Sequence, residues 1–148
     1  MEQFSIEQAK PEDAALLLDY MKAIGGETDN LSFGAEDIHI NADGKAKQLA
    51  AQQQSKDNVL FVAKAAGTII GDASLERMPR RMNHRGELGI AVRKTWWGCG
   101  VASALMKEIL KFVKANGFEQ LNLEVRSDNT RAIRLYEKFG FQKHCTFP

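Results

Sequence analysis

The chain has 148 residues, 44% of them hydrophobic, which is enough for one domain around one sizeable core and too little for two. Its 20 basic and 19 acidic residues leave a formal charge of +1, so no overall field calls for nucleic acid or an anionic membrane. No stretch reaches the length of a membrane span, and the amino terminus MEQFSIEQAK has no cationic leader ahead of an apolar run, so a cytoplasmic location is the expectation.

A short strand is predicted over Phe4, Ile6 and Gln8. It stops at Pro11, where the run PED opens a helix with its acids placed to suit the dipole. Ala14, Leu17, Leu18, Met21 and Ile24 form the buried stripe of that helix, and Gly25 and Gly26 are expected to end it. The stretch onward to Asp43 holds Glu27, Asp29, Glu36, Asp37 and Asp43 without a Lys or Arg and lacks a clear period, so it reads as an irregular acidic crossover. A second helix is predicted from Lys45 to Ser55. NVLFVAKAAGTIIGDASLE then supplies two strands of a hairpin that turns at Ala66 and Gly67.

The arginine-rich loop MPRRMNHR leads into a strand from Arg85 to Val92, and a helix follows from Gly100 to Asn116. Val101, Ala102, Leu105, Ile109, Phe112 and Val113 face inward on that helix, while Lys107, Lys111 and Lys114 face water, and Gly117 is a good stop. Leu121, Leu123 and Val125 alternate with Asn122 and Glu124 in a further strand. The last helix runs from Thr130 to Phe139, capped by Asp128 or Asn129 and ended by Gly140, with Ala132, Leu135, Tyr136 and Phe139 on its inner face. There is no internal repeat or linker, so residues 1–148 read as one domain. Cys99 and Cys145 lack metal-ligand spacing and read as free thiols, and no metal is expected. Strand, helix, helix, three strands, helix, strand, helix implies an α/β mixed sheet, antiparallel in its first half, with a right-handed parallel crossover in its second.

Glu87 to Ser103, ELGIAVRKTWWGCGVAS, is the richest segment: an alternating strand, a glycine loop and the start of an amphipathic helix. Gly98 and Gly100 let backbone approach an anion, and the unpaired amides of the next helical turn point at it with the positive end of the dipole. An ordinary strand-to-helix turn is the plain alternative. A second motif, NTRAIRLYEKFGF after LNLEV, favours the phosphate site because it fits the same ligand.

Together the two motifs resemble the GNAT superfamily of acyl-CoA-dependent N-acetyltransferases over nearly the whole chain. The family's pyrophosphate loop, [QR]xxGx[GA], falls on Trp97, Gly98, Cys99, Gly100, Val101 and Ala102, with Trp97 in place of the usual Gln or Arg. The pattern NxxAxxLYxxxGF is matched at Asn129, Ala132, Leu135, Tyr136, Gly140 and Phe141. The resemblance implies a mixed, mostly antiparallel sheet of about six strands, splayed between the fourth and fifth, with about four flanking helices. It also implies a closing hairpin, yet only seven residues follow Phe141, so the final strand is expected to be missing or supplied by a partner in a homodimer.

What the resemblance implies for chemistry is acetyl transfer from acetyl-CoA to an amine by direct attack. The Val92 backbone would bind pantetheine, the Ile90 amide would face the acetyl oxygen, and the amides from Trp97 to Ala102 would hold the pyrophosphate. Tyr136 would be the general acid, its plain alternative being core packing on an apolar helix face. Asn129 would touch pantetheine or a water, or only cap its helix. Glu87 is the candidate base, against a solvated strand-end carboxylate, with Glu124 and Asp72 as weaker candidates and His84 as a titratable neighbour. Cys99 is expected to lend its amide alone. Trp96 and Trp97 either flank the cofactor or fill the core, and Arg93 and Lys94 either attract phosphates or stay solvated. The acidic crossover suggests a cationic acceptor such as a polyamine, an aminoglycoside or a protein amino terminus, while Arg77, Arg80, Arg81 and Arg85 suggest the opposite on another edge. Two other readings stand beside this one: a non-catalytic acyl-CoA sensor, and a dinucleotide oxidoreductase. The second imitates its fingerprint with GCGVAS and Glu124 but fails on context, since five residues separate Val92 from Gly98 and Ser103 takes the sixth position.

Overall fold

The computed structural model describes residues 3–27, 41–79, 84–123 and 130–142. Among them are five strands in one sheet, in the order in which they occur along the chain: β1 (Ser5–Gln8), β2 (Asn58–Ala65), β3 (Thr68–Arg77), β4 (Arg85–Val92) and β5 (Gln120–Asn122). The helices are α1 (Ala14–Glu27), α2 (Ala42–Gln53), α3 (Val101–Ala115) and α4 (Thr130–Lys138). β1 to β4 pair antiparallel and β4 pairs parallel to β5. The expected order of elements is therefore the observed one. A sixth or missing last strand would follow Gln142 and lies outside the described residues, as do the crossover from 28 to 40, Arg80, Arg81, Glu124, Val125, Asn129 and Cys145.

Two boundaries differ from expectation for identifiable reasons. Helix α1 continues through Gly25 and Gly26 to Glu27, because glycine within a helix costs only about 1 kcal/mol and does not forbid it. Helix α2 starts three residues early at Ala42, because the Asn41 side chain accepts the Gly44 amide at 2.8 Å and so caps the first turn. The β2–β3 hairpin turns at Ala66 and Gly67, both at positive φ (51° and 78°), the conformation a tight two-residue turn demands.

The sheet separates two cores. On one face, Val101, Leu105, Met106 and Ile109 of α3 pack on Val59, Ala73, Leu75 and Leu88. On the other, Leu17, Tyr20 and Ile24 of α1 and Leu49 of α2 cover Leu60, Val62 and Ile69. The sequence stripe anticipates most of these positions but misses Tyr20, 3% exposed, and Met106, fully buried.

Strand β4 joins the antiparallel and parallel parts of the sheet. Met78 N–H donates to the Arg85 carbonyl at one end, and Arg93 N–H donates to the Ile70 carbonyl at the other, with an unbroken register between Arg77↔Gly86 and Gly71↔Val92. Antiparallel alternation therefore turns the backbone groups of Glu87, Gly89 and Ala91 toward β3, and those of Gly86, Leu88, Ile90 and Val92 toward β5. The parallel ladder to β5 covers only Arg85↔Gln120, Gly86↔Leu121 and Glu87↔Asn122 among the described residues, while β4 continues to Val92. Leu123 is described and no longer extends the strand. The described part of the ladder thus ends where the resemblance places the splay.

Candidate active site

After Val92 the chain makes a single 3-10 turn over Lys94–Trp96 and reaches α3 through four turn residues. Gly98 and Gly100 sit at φ +81° and +84°, where a side chain would strain the backbone, and a Cβ there would meet nothing within 4 Å. Gly100 is the N-cap of α3. No backbone carbonyl among the described residues takes the amides of Gly98, Gly100, Val101 or Ala102, which cluster at the positive end of a 15-residue helix. The Cys99 amide differs: it turns back to the Trp96 carbonyl at 3.3 Å. Its thiol is exposed.

The two tryptophans divide the roles left open by the sequence. Trp96 is partly buried against the α3-side core and meets Phe4 edge-on at 6.2 Å. Trp97 is 38% exposed. Its indole N–H donates to the Val92 carbonyl at 2.9 Å, one of the groups that β4 turns toward the splay. The guanidinium carbon of Arg131, from the first turn of α4, lies 3.5 Å from the ring centroid. Nothing in the sequence pattern singled out Arg131, because the stack joins two elements 34 positions apart (131 − 97).

Tyr136 packs on the α3-side core, as do Ile90 and Val92, and its ring meets Phe141 edge-on at 5.9 Å. Burial pushes its phenol above the ordinary value of 10.0. The core-packing reading of this side chain is the one observed. Ile90, Val92 and the turn from Trp97 to Ala102 line a continuous edge from strand to helix.

Glu87 lies on the other face of β4. With Gly89 it is exposed there, opposite Glu76 and Ser74 of β3, on a part of the sheet that α1 and α2 leave open. Where α1 does cover this face, Asp72 is paired with Ala91. The Tyr20 hydroxyl donates to Asp72 Oδ1 at 2.7 Å and lies 3.1 Å from the Ala91 carbonyl, so α1 is tied to both strands at one point. Burial pushes the Asp72 carboxyl up to about 6, against the pull of the Tyr20 hydroxyl and the Lys45 ammonium. Burial also lowers Lys45, and Asp72 opposes this. Tyr20 and Lys45 were not legible as site residues; a tyrosine on an apolar stripe is the only signal the sequence offers. His84 contributes its backbone, its carbonyl accepting the amides of Glu119 and Gln120 at the start of β5. Among the described residues no group of three or more His, Cys, Asp or Glu side chains could hold a metal, and no helix is long and apolar enough to cross a membrane.

The described residues form a five-stranded mixed sheet whose fourth strand leads through a glycine turn into the N-terminus of α3. The family model for the GNAT acetyltransferases matches residues 31–141, and the chain belongs to that family. It is 35% identical over 84 residues to the L-amino acid N-acetyltransferase AaaT of Escherichia coli (strain K12), covering 55% of this chain and 52% of that protein. It is 34% identical over 90 residues to the N-alpha-acetyltransferase RimI of Mycobacterium tuberculosis, covering 60% and 55%. The match thus spans about half the length of these curated relatives. Among solved structures, a GNAT-family acetyltransferase from Streptococcus pneumoniae superimposes with a TM-score of 0.87 at 29% identity, over 93% of this chain and 83% of that one. The yncA protein of Salmonella typhimurium, solved with its cofactor acetyl-CoA, superimposes at 0.78 and 19% identity over 94% and 79%, a likeness of fold.

Proposed function

We propose that this chain transfers an acetyl group from acetyl-CoA to a primary amine of a small molecule or protein, by direct attack within a ternary complex. The observation that carries this reading is the edge from Ile90 to Ala102: backbone groups of β4 turned into the splay, continuous with free amides at the start of α3. An extended arm ending in a pyrophosphate fits such an edge, and family membership points the same way. That the two curated relatives are an L-amino acid N-acetyltransferase and an N-alpha-acetyltransferase supports an amine acceptor.

The group supplies an activated acetyl thioester when bound. The chain's own residues bind, orient and move protons around it. Gly98, Gly100, Val101 and Ala102 would hold the pyrophosphate, with Trp97, Cys99 and Asn129 at the margins of the same site; Asn129 lies outside the described residues. The Val92 carbonyl already accepts the Trp97 indole, and its second lone pair and its N–H serve the pantetheine arm. The Ile90 amide would face the oxygen that gains charge, a contact worth about 3 kcal/mol of barrier. Glu87 takes the amine proton from the open face. Tyr136, held protonated by its burial, returns one to the departing thiolate.

Thermal unfolding with acetyl-CoA, with NAD as a control, tests the ligand; a shift with NAD alone, or with neither, removes the reading. Turnover against a panel of amines then tests the roles. Tyr136→Phe and Glu87→Gln are each expected to lower kcat by about 10²- to 10⁴-fold with little change in acetyl-CoA affinity. Binding without turnover of any amine would instead support the acyl-CoA sensor.

A further inference from the structure

The pyrophosphate loop of this chain has no cation of its own. From Trp96 to Ser103 there is neither Lys nor Arg, and the first loop position, held in the family by Gln or Arg, is Trp97. Amides at Gly98, Gly100, Val101 and Ala102 offer partial charges only. A full charge nevertheless reaches this place from elsewhere in the fold. Arg131 lays its guanidinium over the Trp97 ring at 3.5 Å, and the ring is fixed in turn by the indole bond to Val92 at 2.9 Å. A guanidinium stacked in this way keeps its charge and presents its N–H fork at the edge of the stack rather than into the ring. Among the described residues no carboxylate pairs with Arg131. Trp97 is the chain neighbour of Gly98, so the fork lies within a side chain's reach of the free amides.

We propose that Arg131, braced on Trp97, is the cation that binds the pyrophosphate of the acyl-CoA at this loop, and that Trp97 is the positioning residue holding it there. This rests on the acyl-CoA reading above. Its physical content is a substitution across the fold: the charge missing from the loop is delivered by α4, and the indole that displaced it became the platform. Because α4 follows β5, the contact also spans the two sides of the splay. The anion therefore meets amides from one side and a fork from the other.

The test is calorimetric binding of CoA, dephospho-CoA and pantetheine to the wild-type chain and to Arg131→Gln, Arg131→Lys and Trp97→Leu, each checked for native circular dichroism. Arg131→Gln is expected to weaken CoA and dephospho-CoA alike by roughly tenfold to a hundredfold, as for a lost charge-assisted bond, and to leave pantetheine unchanged. The slope of log Kd against log salt should flatten in the same variant. Trp97→Leu should show part of that loss with the arginine intact, and Arg131→Lys should recover only part of it, since an ammonium has no planar fork. An equal loss for pantetheine would make the stack structural and overturn the proposal. A loss confined to CoA would move the contact to the 3′-phosphate and overturn it too, as would no loss at all. If the wild-type chain bound none of the three, the acyl-CoA reading itself would fall; wild-type binding with an unaltered Arg131→Gln sinks only this inference.

Discussion

Asp72→Asn should stabilise this protein, and by an amount that depends on pH. In the unfolded chain the carboxyl ionises near 3.8, and in the fold near 6, because burial under α1 disfavours the charged form. The fold thus holds a proton there that the unfolded chain has already lost. Stability carried by that proton is complete below pH 3.8, declines as pH rises toward 6, and is gone above it. At about 1.36 kcal/mol per pH unit of separation, the ionised carboxylate makes the fold about 3 kcal/mol weaker at pH 7 than at pH 3.5, all else equal. Asparagine keeps an oxygen for the Tyr20 hydroxyl, now bonded at 2.7 Å, and carries no charge to desolvate. The attraction of Lys45 for the carboxylate is already contained in that raised value. The variant is therefore expected to be more stable than wild type by about 3 kcal/mol at pH 7, with the difference nearly vanishing toward pH 4. Urea unfolding of both proteins from pH 4 to pH 8 measures this directly, since the difference cancels every other titrating group. A difference that is flat with pH, or a variant less stable at pH 7, would refute the assignment of a desolvated carboxyl to this position.

Other perturbations probe the scaffold. A Cβ at Gly86 would lie 2.8 Å from Leu75 Cδ1 and from two atoms of the Phe118 ring, so Gly86→Ala should cost about 1–3 kcal/mol by overpacking; a neutral result in urea unfolding would mean that Phe118 moves freely. Lys64 bonds both Glu7 at 2.7 Å and Asp13 at 2.6 Å, and Asp13 is 3% exposed. Burial alone would raise the Asp13 carboxyl, but bonds from Lys64 and the Lys10 amide outweigh it and hold it below 3.8. Lys64→Met should therefore lose about 3 kcal/mol at neutral pH by stranding a buried charge. Because the depressed carboxyl stabilises the fold above its unfolded value, that loss should shrink as pH falls through and below 3.8; a pH-independent loss would assign it to packing instead.

Much of this protein was written locally. Period and punctuation placed the four helices and the hairpin, because alternation of side chains and turn chemistry act over a few residues. β4, from Arg85 to Val92, falls where the sequence put it. So does the glycine turn, whose two positive φ values are a property of Gly98 and Gly100 themselves. The family could be named from motifs because a phosphate loop and its helix are contiguous in sequence. Errors were local as well: the Asn41 cap starts α2 ahead of the expected Lys45, and Gly25 and Gly26 were bridged by the helix that they were expected to end.

What only the tertiary structure decided is what meets across elements. Asp72, read as a minor candidate, becomes a strongly perturbed carboxyl because the fold buries it, while Tyr20, 52 positions earlier, donates a hydrogen bond from α1 that opposes the shift. Trp96 and Trp97 are neighbours of one residue type, yet one packs against the core and meets Phe4 and the other stays exposed and carries the Arg131 guanidinium. Glu87 and Ile90 are three positions apart, but alternation sends the side chain of one to the open face and turns the backbone of the other into the splay. Hydrophobic period and turn chemistry are short-range and legible in the chain; desolvation, stacking and charge pairing depend on distances that exist only once the sheet has closed β3 and β4 against α1, α3 and α4.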